Sequence, residues 1–328
     1  MSWSRRSVML GAVGTGVGAA LLGAPAAHAS ERRSGAPVVV TDQASKQILV
    51  LDSARSAWTA GEAIWAFSPL GDGRYADVLP EVSWVYPSEA KVRRFRGRTL
   101  LLTCASFGFA AAVEVPSGRR YWAAGLGPGD DLLNPHSMEI LPDGNVAVAC
   151  STGARVRVYA ASQGGRDVPY AEVVLKGAHG LHWDRERRVL WAIGDDELVT
   201  YRVGGSPAHP ELAQLSALAL PGAKPGGHDL FPVAGRRGRL WVTTNAAVFQ
   251  YDIRRGEFVQ DFAGAEVINR AKVKAVGDDP WTGQVVSTVP EPGLEETWWT
   301  TKVDMHLPER RPVLADGGIY KARWWLPR

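Results

Sequence analysis

Six short apolar or β-branched runs recur along this chain, at residues 38–42, 101–104, 146–150, 190–194, 240–244 and 285–288. Each is followed by a small or polar turn and a further strand-like run, at 47–52, 110–115, 156–160, 198–203, 248–253 and 297–304. A third run closes every unit, at 64–67, 121–125, 171–175, 215–220, 258–262 and 312–315. Ser117-Gly118, Gly164-Gly165, Gly204-Gly205 and Arg255-Gly256 supply hairpin breakers between the last two runs. One more segment precedes five of the units, beginning at Ser88, His136, His179, His228 and Ala271, with separations of 48, 43, 49 and 43 residues. A further step of 49 lands on Tyr320, in a segment with no strands after it, whereas the first unit lacks its own leading strand. A C-terminal strand that completes an N-terminal unit is how a β-propeller closes its ring and removes free edges. The expected fold is therefore an all-β, six-bladed β-propeller with four-stranded blades. Six blades of about 48 residues need roughly 290 residues.

The N-terminus accounts for the remaining length. Ser4-Arg5-Arg6-Ser7 leads into a Gly/Ala-rich apolar stretch and then Ala27-His28-Ala29, the pattern of a charged region, a short hydrophobic region and an A-x-A cleavage site. The paired arginines resemble a twin-arginine export signal. Residues 1–29 are read as that signal and residues 30–328 as a single propeller domain, secreted and with no stable membrane insertion after cleavage. The first 29 residues hold two arginines and no acid, so their removal takes the formal charge from +3 to +1, which argues against a nucleic-acid partner. Cys104 and Cys150, the only cysteines, fall at one repeat position in neighbouring units. They read either as a bridge allowed by export or as two small buried residues.

Innermost strands line a propeller's channel, so radial symmetry brings residues that open them together at the axis. Three of the seven histidines, His136, His179 and His228, hold that position in consecutive blades. Three imidazoles converging on one point suit a divalent ion, most simply Zn²⁺ with an open water position. Ser137, Gly180 and Gly227 beside them leave room for close approach. His182 falls three places later; His209 and His306 read as solvated. Tyr320, Glu139 and Glu89 are candidate proton carriers at such a site. Glu139 shares the fourth strand position with Lys91, Lys274 and Arg323, for which a ring of charged pairs between blades is the competing reading. Two long loops, 71–87 and 128–135, bring Trp84, Tyr86, Asp130 and Asp131 to a rim suited to sugar or peptide ligands, with Trp84 read equally as a packed loop anchor. In Trp298-Trp299 and Trp324-Trp325, one ring of each pair is expected to pack between blades.

The segment His136-Ser137-Met138-Glu139-Ile140-Leu141-Pro142-Asp143-Gly144-Asn145 resembles one that recurs in six-bladed propellers, among them the peptidyl-hydroxyglycine amidating lyases and bacterial arylsulfotransferases. The mature chain as a whole is similar to an uncharacterised actinobacterial family of twin-arginine-exported propellers. The resemblance to the lyases implies a channel metal held by three histidines, matched here by His136, His179 and His228, with Tyr320 and Arg323 as polar partners of the substrate. The 2 cysteines depart from the more numerous disulfides of those enzymes. No Gly-x-Ser-x-Gly, His-Glu-x-x-His, Walker or dinucleotide motif is present. Two readings stand: a monomeric secreted propeller that binds or processes a small saccharide or peptide through a three-His metal site, as a metal-assisted hydrolase or lyase, or a non-catalytic scaffold that meets a cell-wall glycan or a protein.

Overall fold

The computed structural model describes residues 35–127, 133–165 and 167–327. The expected export signal and the expected rim residues Asp130 and Asp131 lie outside the described residues. Six antiparallel blades surround a central axis, as the repeat predicts. Blade one combines the last strand with the first, in the order Ile319–Trp324, Val38–Asp42, Gln47–Leu51, Trp65–Phe67. Blades two to five run outward in chain order from Pro87–Phe95, Pro135–Ile140, Gly180–Asp184 and Asp229–Pro232. Blade six has Ala275–Asp278, Val285–Thr288 and Asp304–His306 in its sheet, and its outermost strand survives as the bridges Lys302↔Val313 and Met305↔Arg310.

The sequence pattern follows from the burial. Second strands are covered on both faces, so Val38–Asp42 and Val146–Cys150 are buried at every position and read as continuous apolar runs. Side chains alternate across each strand, and the alternation feeds two different cores. In blade two Leu100, Leu102 and Cys104 join the cluster shared with blade three, whereas Leu101 and Ala105 join the one shared with blade one. Six such clusters fill six interfaces, the last joining Val286 and Met305 of blade six to Val38, Val40 and Ile319 of blade one.

Ring closure is made twice. Near the axis, Val38 pairs with Trp324, Val39 with Arg323 and Val40 with Ala322. At the outer edge Val313–Leu314 pairs in parallel with Ala57–Trp58, and Arg310 donates to the carbonyls of Ser53 and Ala54 at 2.8 Å each.

Several boundaries differ from expectation, each for a local reason. The innermost strand of blade six begins at Ala275, and Ala271 lies in the exposed connection before it. The third strand of blade six is Asp304–His306, because residues 297–299 form a loop over the channel mouth. His306 is 4% exposed and its Nε2 meets Ser287 Oγ at 2.9 Å, so it is a buried partner and not a solvated group. His209 opens an outermost strand and is exposed, as expected. In blade four the hairpin turns at Ser206–His209, so Gly204 and Gly205 lie within the strand ladder. The Leu141–Asn145 motif is a hairpin between innermost and second strands: Gly144 takes φ +98°, and a Cβ there would sit 2.6 Å from the Tyr121 hydroxyl. Its role is architectural, since Asn145 ties the turn to Ser162 and to the Pro207 carbonyl.

Cys104 and Cys150 are free and buried in one inter-blade core, and burial pushes both thiols up to about 12. A thiol reagent is therefore expected to label neither in the native protein and both after denaturation. Fast labelling of the native chain would contradict this burial.

Candidate functional site

Backbone register decides which side chains share a level of the channel. His179 N–H donates to the Ile193 carbonyl at 2.9 Å, His228 to Thr243 at 2.8 Å and Lys274 to Thr288 at 2.9 Å. Lys274 is thus the blade-six counterpart of the histidines, not a residue of the fourth strand position. The topmost level reads Ser88, His136, His179, His228, Lys274 and Tyr320.

The three imidazoles meet there. Ring centroids are 4.4 Å apart for His136 and His179 and 4.5 Å for His179 and His228. The Tyr320 hydroxyl lies 3.3 Å from His136 Nδ1 and 3.3 Å from His228 Nε2. A hydroxyl has one proton, so it donates to one ring and accepts from the other. His179 Nδ1 stands 2.8 Å from the Gly177 carbonyl, which must accept, leaving Nε2 as the free lone pair. Burial, reinforced by the neighbouring lysines, holds His136 and His228 well below the ordinary imidazole range and His179 at about 4 despite the Gly177 bond. The floor is therefore neutral near pH 7. Burial raises Tyr320 well above the phenol range.

Above this floor is a cavity of about 340 Å³ lined by Tyr86, Phe107 and Trp298 with His136, Tyr320 and Lys274. Tyr86 meets Phe107 and Trp298 edge-on, at 5.8 Å and 5.6 Å between centroids. Trp298 is held by its indole N–H on Gln43 Oε1 at 2.9 Å, and Gln43 in turn donates to the Pro87 carbonyl. Trp299 points inward and is buried. Lys274 Nζ lies 5.9 Å from the Tyr320 ring centroid, and no carboxylate reaches it among the described residues. Burial and the Lys321 charge bring its ammonium down to about 8.

Below the floor the channel is plugged by ion pairs. Arg323 reaches Glu89 at 2.8 Å and Asp229 at 2.7 Å, and lies 4.4 Å from the Phe231 ring centroid. Lys321 stands 3.6 Å from Glu89 and 3.5 Å from Asp229, and Lys91 3.4 Å from Glu89. Arg93 binds Glu139 through two contacts of 2.8 Å. Burial opposes the charged carboxylates, but Arg323 and the lysines outweigh it at Glu89 and Asp229, and Arg93 does so at Glu139, so all three stay below the ordinary range. Four basic groups thus face three acids inside the plug.

The sequence-derived candidates sort accordingly. His136, His179, His228, Tyr320 and Tyr86 gather at the channel mouth. Glu139, Arg323 and Glu89 are locked in the plug, where their forks are used by partners and none lines the pocket. Trp84 is not at the rim: it is fully buried between Phe67 and Phe109, with its indole N–H on the Lys46 carbonyl at 2.8 Å. The room expected beside the histidines is taken up by blade packing. A Cβ at Gly180 would meet Leu230 at 2.8 Å and one at Gly227 the Gly194 carbonyl at 2.2 Å, while Ser137 Oγ bonds Lys91 Nζ at 2.7 Å. Lys274, Gln43, Phe107 and Asp229 were not singled out as site residues; Asp229 and Lys321 had the signal of standing next to His228 and Tyr320.

Three neutral imidazoles, one with its tautomer fixed by a carbonyl, are the donor chemistry of a divalent-ion site. As arranged, one nitrogen of His136 and one of His228 face Tyr320, and among the described residues no group of three or more His, Cys, Asp or Glu side chains is set to hold an ion. An ion would be held either through the other ring nitrogens, His136 Nε2 and His228 Nδ1, with His179 Nε2, or by rings turned from the hydroxyl.

Comparison with solved structures supports the fold. A protein of unknown function from Bacteroides caccae is 14% identical, with a TM-score of 0.52 over 83% of this chain and 90% of that one. The β-propeller domain of Cps50 (Swd1) from Myceliophteria thermophila is 9% identical, with a TM-score of 0.51 over 77% and 76%. Virginiamycin B lyase from Staphylococcus aureus is 10% identical, with a TM-score of 0.44 over 72% and 69%. No curated protein sequence matches the chain. Residues 31–327 match the family of unknown function DUF6528, and the chain belongs to that family.

Proposed function

We propose that this is an exported propeller that captures a small anionic ligand, a saccharide or peptide fragment bearing a carboxylate or phosphate, in the aromatic-walled pocket at the channel mouth. The observation that carries the reading is Lys274, an amine without a carboxylate partner that faces a 340 Å³ pocket over a neutral histidine floor. An anion there gains a charge-assisted hydrogen bond, and Tyr86, Phe107 and Trp298 offer ring faces to an apolar or sugar body.

His136, His179 and His228 are the residues that would hold a divalent ion, Zn²⁺ being the simplest. Bound there, an ion would polarise a ligand oxygen or lower the pKa of its water. Tyr320, where the two rings turn from it, would then be placed to hold or pass a proton at the ligand. This is the form the reading takes if the protein is a hydrolase or lyase.

A thermal-shift screen of acidic saccharides and short peptides tests the first part. A ligand at about one hundred times its Kd is expected to add roughly 2.7 kcal/mol of stability. Lys274→Met is expected to weaken such a ligand at least about tenfold, the scale of one lost charged hydrogen bond; hits that are neutral or cationic, or indifferent to Lys274→Met, would overturn the reading. Calorimetric titration with Zn²⁺ tests the second part. The expected result is one ion per chain, lost in His136→Ala and His228→Ala but kept in Lys274→Met. No uptake by the wild type would remove the metal from the proposal and leave the anion pocket intact.

A further inference from the structure

The opposite face of the ring carries a second feature. A groove of about 830 Å³ runs across the hairpins that join innermost to second strands in blades two to four. Its walls hold Arg94, Arg96, Arg185, Arg188 and Arg202, against a single carboxylate, Asp143, and none of these guanidiniums forms an ion pair among the described residues. Its floor is apolar, with Phe95, Leu141 and Trp183, and the Trp183 indole N–H is buried without an acceptor. Arg185 also borders an adjoining depression of about 680 Å³ that contains Arg236 and Arg237 together with the carboxylates Asp184 and Glu186. Five arginines on one groove without a carboxylate to pair with are the arrangement expected when an external partner supplies the negative charge.

We infer that this arginine groove is a binding site for a linear polymer carrying phosphate or sulfate groups. A guanidinium fork matches two oxygens of a tetrahedral anion, and several forks along one groove match anions repeated along a chain. The groove crosses the hairpins of three blades, and its apolar floor suits the spacer between charged groups. The near-zero net charge of residues 30–328 conceals it, because that figure sums over the whole chain.

The test uses the mature full-length protein and fluorescence anisotropy with labelled long-chain polyphosphate and labelled heparin, which separate a phosphate from a sulfate source. Binding is expected to weaken at least about tenfold between roughly 0.05 and 0.2 M salt. Arg94→Ser/Arg188→Ser/Arg202→Ser is expected to weaken it by a further tenfold or more. A variant of equal charge change on the other face, Lys46→Gln/Lys224→Gln/Lys272→Gln, should stay within about twofold of wild type. Thermal unfolding should be the same for all three proteins, since the substituted side chains are exposed. Equal losses in both triple variants, no binding of either polymer at low salt, or tighter binding of polyglutamate or anionic vesicles than of both polymers would overturn the assignment.

Discussion

A chain that stops at Gly318 is expected not to fold, and a separate peptide of residues 319–327 is expected to restore it. The strand Ile319–Trp324 is buried at all six positions and supplies the innermost strand of blade one. Its loss exposes apolar surface in the core between blades six and one; Ile319 and Trp324 alone are worth about 1.5–3 kcal/mol each. Glu89 and Asp229 would also lose Arg323, and stripping a buried ion pair of one partner costs about 3–5 kcal/mol. The sum approaches the whole stability of an ordinary domain, about 5–15 kcal/mol. Far-UV circular dichroism and size-exclusion chromatography with and without the peptide measure this. A truncated chain that stays monomeric and unfolds cooperatively in urea would show that the outer clasp alone closes the ring.

The second large effect is expected from one residue of that strand. Arg323→Met should destabilise the protein by about 3–5 kcal/mol, because two fully buried carboxylates keep their desolvation penalty and lose their main partner. Replacing all three groups, as Glu89→Gln/Asp229→Asn/Arg323→Met, should recover much of the loss, since no uncompensated acid then remains. The pH dependence separates this from a packing defect. Glu89 and Asp229 have folded pKa values depressed below their ordinary 4.5 and 3.8, so their stabilisation is complete above that range and lost as pH falls through the folded values. The gap between wild type and Arg323→Met in urea unfolding should therefore be widest above about pH 5 and narrow on acidification. A gap independent of pH would mean that Arg323 matters for its contact with Phe231 and not for its charge.

How much of this was legible in the sequence depends on which force wrote the signal. Burial on both faces forces continuous apolar runs, so six second strands and their spacing could be read directly. The missing first strand and the orphan at Tyr320 then gave the closure. The three histidines were legible because a repeat position is also a place in space. Lys274 was not, because the connection into blade six includes the short helix Ala265–Ile268, and spacing alone put the position equivalent to the histidines at Ala271, three residues before Lys274. Of the two readings of Trp84 the packed anchor holds, because the loop of residues 71–86 folds into helical turns that turn its indole into the core. Trp298 reaches the pocket from a loop that resembled a strand. The arginine groove left no mark on composition, since net charge sums over faces that never meet.

The position of the seam has a consequence for how the chain can be rewired. Trp325 N–H donates to the Pro37 carbonyl at 2.7 Å, so the two ends of the described fold are neighbours. A short linker could join them, and new ends could be opened at a hairpin elsewhere, such as residues 245–246 of blade five, without changing any inter-blade core. Such a circular permutant would keep the same six interfaces while moving the split blade from blade one to blade five. The inner seam could then move to another blade, while the outer clasp of Val313–Leu314 on Ala57–Trp58 would stay where it is.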